Sequence, residues 1–70
     1  MKTYKEAVRA VAKKLANTQY HLMMGGAQRY KVYVDDPAQI LAIVYEEPIA
    51  EVEARLQKHL DKEFLRLTKG

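Results

Sequence analysis

Ile49, Val52, Leu56, Leu60, Phe64 and Leu67 recur at intervals of three and four, a spacing that an α-helix gathers on one side and a β-strand scatters over two. Charge placement agrees. Pro48 stands at a first-turn position, where its missing N–H is harmless, with Glu46, Glu47 and Glu51 near the start and Lys62, Arg66 and Lys69 near the end. Residues 48–68 are therefore predicted to form one long amphipathic helix. Its apolar stripe needs a cover, which the rest of the chain must supply.

The first candidate cover is the N-terminal segment. Thr3 as N-cap with Glu6 three residues later makes a capping box. Tyr4, Ala7, Val8, Val11, Ala12 and Leu15 then fall on one helical face and Lys2, Lys5, Arg9 and Lys13 on the other. Asn17, which tolerates the left-handed conformation that closes many helices, is the expected end of this helix at about Ala16.

Beyond it, Tyr20, Leu22 and Met24 alternate with His21 and Met23, and after Gly25-Gly26 the residues Tyr30, Val32 and Val34 alternate with Arg29, Lys31 and Tyr33. Alternation on both sides of a glycine pair predicts a β-hairpin over 20–34, with the glycines supplying positive φ in the turn. A phosphate-binding loop would need a helix directly after the glycines, and a second strand is read there instead. Residues 37–45 are apolar at nearly every position, so periodicity leaves two readings, a short helix or a third strand. Asp36 as N-cap and Pro37 in the first turn favour the helix. The predicted class is thus α+β, a single small domain over 1–70.

If 37–46 is helical, "AQILAIVYEEPIAEVEARL" has the outline of a helix-turn-helix. The turn carries Glu46-Glu47 in place of the usual glycine, and Glu51 and Glu53 would face phosphates at the start of the reading helix. It is therefore read as a helical hairpin used for packing.

A chain of 70 residues buries only roughly 60% of its unfolded surface, so a partner or a homodimer is a natural way to complete the core. Without cysteine there is no disulfide, thiolate nucleophile or cysteine zinc site, and a reducing compartment, the cytoplasm, is the expectation. The longest apolar run, "ILAIVY", falls far short of a membrane span, and the basic amphipathic start does not resemble a signal peptide.

Charge is unevenly spread. Residues 1–34 carry seven cations against one carboxylate, and residues 35–70 five against eight. The basic front half would present Lys5, Arg9 and Lys13 on helix one and Arg29 and Lys31 on the hairpin, with Tyr33 and His21 interleaved, a mixture suited to a phosphate backbone and stackable bases. The bland alternative, lysines solvating an outer face, has equal weight.

Nothing points to catalysis. His21 and His59 are unpaired in sequence, no metal-ligand spacing appears, and Asp35-Asp36 is explained by turn or capping duty. No catalytic residue, metal or cofactor is expected. The expected function is a small non-enzymatic, regulatory or accessory binding protein that engages nucleic acid through Lys5, Arg9, Lys13, Arg29, Lys31 and Tyr33. The alternative is an inhibitor or adaptor that docks on the acidic or apolar surface of a larger protein.

Overall fold

The computed structural model describes residues 2–69, which form three α-helices: α1 (Tyr4–Met24), α2 (Asp35–Tyr45) and α3 (Ile49–Lys69). No strand occurs among the described residues, so the expected α+β class is replaced by an all-helical one. The hairpin over 20–34 does not exist. Its first half is the continuation of α1, and its second half is an extended strap without a strand partner.

The start of α1 is as read. The Thr3 hydroxyl accepts from the Glu6 N–H at 3.3 Å, and the Glu6 carboxylate accepts from the Thr3 N–H at 3.4 Å. The end is not at Asn17, which sits exposed in mid-helix. Buried Ala12 and Ala16 lead to half-buried Gln19, Tyr20 and Met23, so the helical spacing runs on for two more turns. The alternation of Tyr20, Leu22 and Met24 imitated a strand. In the folded chain Leu22 is 41% and Met24 65% exposed, whereas Met23 turns inward.

The glycine pair ends this helix. Gly26 takes φ +84, its N–H donates to the Met23 carbonyl at 3.1 Å, and the Ala27 N–H donates to the Leu22 carbonyl at 3.1 Å. Those two bonds and one left-handed residue are a Schellman motif, which satisfies carbonyls that the last helical turn leaves open. Gly25 has an ordinary φ of −77. A two-residue type I′ turn needs positive φ at both central residues, and only one of the two glycines has it.

The contacts fix the direction of the chain. Tyr4 packs on Tyr45, with ring centroids 5.7 Å apart, and lies under the Arg55 guanidinium at 5.8 Å. Arg9 lies beside His59 and Lys62. Sequence numbers on α1 and α3 rise together, so the two helices run parallel. A parallel pair obliges the chain to return along their length, about 31 Å for a helix of this size. The strap 25–34 and the antiparallel α2 make that return, within a molecule 38 Å long.

Along the strap the alternation of burial is real although no sheet forms. Val32 and Val34 pack on the core, while Lys31 and Tyr33 are exposed, and Tyr30, which stacks on Phe64 at 6.1 Å, remains exposed like Arg29. Residues 37–45 are helical, as capping and proline favoured. Asp36 is not the cap, however: Val34 holds the N-cap position without a side-chain bond, and Pro37 lies in the first turn, where no N–H is needed. The α2–α3 turn is closed by Glu46, whose φ of 54 is left-handed, with the Glu46 and Glu47 N–H groups both donating to the Ala42 carbonyl.

The core is thin. Ala7, Val8, Ala12, Ala16, Ala38, Leu41, Val52, Leu56 and Leu60 are buried, and among the described residues no polar one is buried with them. Alanines on α1 let its backbone approach α3, and these two share the largest helix interface. The predicted stripe of α3 is confirmed in Val52, Leu56 and Leu60.

Candidate functional site

Lys5, Arg9 and Lys13 follow one another every four residues, so they stand in a row along α1, all exposed. Because α3 runs parallel beside that row, its own cationic flank meets it. Arg9 joins His59, Lys62 and Glu63 around a hollow of about 250 Å³. Burial pushes the His59 imidazole below its ordinary pKa, and the nearby Arg9, Lys62, Lys58 and Arg55 charges push it further the same way. Arg9 of α1 and Lys62 of α3 thus meet beside one histidine.

The opposing charges in this region are partly committed. Glu51 accepts from the Arg55 Nη2 at 2.9 Å and Nε at 3.1 Å. Glu63 accepts from the Arg66 Nη2 at 2.7 Å and Nε at 3.0 Å. That hydrogen bond holds the Glu63 carboxyl below the usual range, with smaller help from the Arg66, Lys13 and His59 charges. Among the described residues, Arg9, Lys13, Lys58 and Lys62 form no ion pair.

The other half of the expected nucleic-acid face lies elsewhere. Arg29 and Lys31 line a separate hollow with Gln19, Gln28, Tyr30, Val32, Gln57 and Asp61. Gln57 and His59 are two residues apart on α3 and so point about 160° away from each other. The hollow of Arg29 and Lys31 therefore opens on the opposite flank from that of Arg9. Tyr33 belongs to neither lining and stands exposed just before α2.

Of the six expected residues the fold keeps Lys5, Arg9 and Lys13 together and removes Arg29, Lys31 and Tyr33 from them. Reading the sequence missed Lys58, His59 and Lys62. A signal was present, since Arg55, His59, Lys62 and Arg66 repeat at helical spacing beside the apolar stripe of α3. What was missing was the parallel pairing that sets this flank against α1.

Among the described residues no group of three or more His, Asp or Glu side chains is arranged to hold a metal ion, and no helix is long and apolar enough to cross a membrane. No protein-family model, curated protein or solved structure matches the chain, so its function is read from its own surface.

Proposed function

We propose that this is a non-enzymatic binding protein that holds the phosphate backbone of a nucleic acid along the seam between α1 and α3. One observation carries the reading: Arg9 of α1 and Lys62 of α3 line one hollow with His59, beside Glu63, and neither cation forms an ion pair among the described residues. Like charges held together raise the energy of the free protein, and a polyanion relieves it by replacing small counterions. Lys5 and Lys13 extend the row by one turn on each side, which suits a linear backbone better than a single phosphate. Base recognition is not part of the reading, because Tyr33 and the strap lie away from the seam.

The test is binding of a fluorescent single-stranded oligonucleotide measured by anisotropy over a range of salt. Affinity should fall as salt rises, with a log–log slope of about 0.7 for each phosphate neutralised. The pair Arg9→Glu and Lys62→Glu should abolish binding, whereas Arg29→Glu with Lys31→Glu, equal in charge change, should weaken it only modestly. Equal losses would show that net charge alone acts, and no binding at low salt would end the reading.

A further inference from the structure

α2 exposes an apolar stripe that neither the core nor helix formation explains. Ile40, Ile43 and Val44 are 63%, 77% and 64% exposed, and at spacings of three and four they share one side of the helix. The opposite side, with Ala38 and Leu41, already meets the core. On a solvent face β-branched residues form helix less readily than lysine, glutamate or glutamine. Three together on an eleven-residue helix are therefore the wrong choice for folding and the right one for a contact.

The ends of the stripe say what kind of contact. Asp35 and Asp36 open α2, Glu46 and Glu47 close it, and residues 35–47 contain no lysine or arginine. Asp36 lies one turn before Ile40 on the same line, and exposed Glu46 caps the other end, just past Val44 and Tyr45. None of the four carboxylates forms an ion pair or side-chain hydrogen bond among the described residues. A second copy fits badly, because two α2 helices packed side by side oppose carboxylate to carboxylate at both ends in either direction. An anionic membrane or a nucleic acid is repelled for the same reason.

We infer that the outer face of α2 docks on a protein partner whose binding surface is apolar at its centre and bordered at both ends by lysine or arginine. The apolar centre supplies the burial and the charged ends fix register and exclude the wrong partners. This surface is independent of the seam, since none of its residues lies on α1 or α3.

Two designed amphipathic helical peptides test it, both with a leucine face, one with lysines at each end and the other with glutamates. Amide chemical shifts of the whole protein are followed by NMR. The lysine-ended peptide should move residues 35–47 and spare those around Arg9 and His59, and the glutamate-ended peptide should move neither. Ile43→Gln, which is exposed and should keep the circular dichroism spectrum unchanged, should abolish the shifts. Asp36→Asn with Glu46→Gln should weaken the lysine-ended peptide by roughly tenfold, as two exposed ion pairs imply. The pair Arg9→Glu and Lys62→Glu should leave it bound. The inference is overturned if both peptides bind alike, if neither reaches α2, or if sedimentation shows a dimer that Ile43→Gln dissociates.

Discussion

The cationic seam and the outer face of α2 are two surfaces of one small molecule, and they are made in opposite ways. The seam is assembled from residues about fifty apart in sequence, Arg9 on α1 and His59 and Lys62 on α3, and it exists only because those helices run parallel. The α2 face is local. In "ILAIVY" one side of the helix, with Leu41, Ala42 and Tyr45, faces the core, and the surplus of Ile40, Ile43 and Val44 is left outside. A helix apolar all round must be covered on both sides or offer one to a partner. Dividing the chain into a basic front and an acidic back misses this, because folding sets Arg9 of the front half beside Lys62 of the back half and leaves four of the eight carboxylates of the second half at the ends of α2.

The largest effect separates a residue that holds the fold from one that is free to bind. Leu56 is fully buried at the centre of α3, and Leu56→Ala should cost about 2–5 kcal/mol by lost burial and a residual cavity. For a thin core this is enough to unfold much of the population at 37 °C. Ile43→Ala should change stability by no more than about 0.5 kcal/mol. Urea unfolding followed by circular dichroism measures both. A loss at Ile43 comparable with that at Leu56 would mean that the outer side of α2 is covered in the folded chain, and the contrast between the two surfaces would collapse.

That pair also shows what the sequence made legible. The stripe of α3 was readable because six apolar residues keep helical spacing with polar ones between them, and a strand cannot satisfy that pattern. Residues 20–24 were not, because Tyr20, Leu22 and Met24 alternate while Tyr20 and Met23 also continue the face of Ala12, Leu15 and Ala16. Five residues fit either period, and in the folded chain they take the helical one, with Tyr20 and Met23 half-buried. Glycine pairs end helices as well as turn hairpins, and the apparent alternation on both sides favoured the hairpin. That alternation was correct about burial, since Val32 and Val34 turn inward and Lys31 and Tyr33 outward. It failed to reveal that the inward side rests on helices. The site divides likewise: the row on α1 was visible because it is local, and its completion by α3 was not because it is tertiary.

A smaller effect should come from Glu46, which closes the α2–α3 turn and also supplies charge at the end of the apolar stripe. Its left-handed backbone is unfavourable for any residue with a Cβ, by roughly 1–2 kcal/mol, and glycine removes that strain while adding some chain entropy to the unfolded state. Glu46→Gly should therefore raise stability by about 0.5–1 kcal/mol, measured as a higher urea midpoint with an unchanged slope. Glu46→Ala keeps the strain and should not. If the alanine variant is stabilised as much as the glycine one, loss of charge and not backbone relief is responsible, and the acidic end of α2 is a burden on the fold that only a cationic partner would justify.

The smallest effect is a pH dependence confined to the seam. Burial first, and then Arg9, Lys62, Lys58 and Arg55, disfavour the charged imidazole of His59 in the folded chain, and Glu63 across the hollow is the facing carboxylate. The folded pKa consequently lies below that of an unfolded histidine, about 6.5. Above that pH both states are neutral at this position and it contributes nothing to stability. As pH falls below it the unfolded chain takes up its proton first, so stability declines until the folded pKa is passed and then levels off. A bound phosphate backbone reverses the balance by offsetting the surrounding cations and accepting a hydrogen bond from the imidazolium. His59 should then titrate at higher pH, and by linkage the oligonucleotide should bind more tightly as the solution is acidified. The ring proton of His59, followed by NMR in a His21→Gln background with and without saturating oligonucleotide, reads the shift directly. His59→Gln should remove the contribution of this group to the pH dependence of affinity, and Ile43→Gln should leave it in place. A His59 titration that does not move when the oligonucleotide binds would place the polyanion off the seam, and the cations around this histidine would then be a solvated flank of α3.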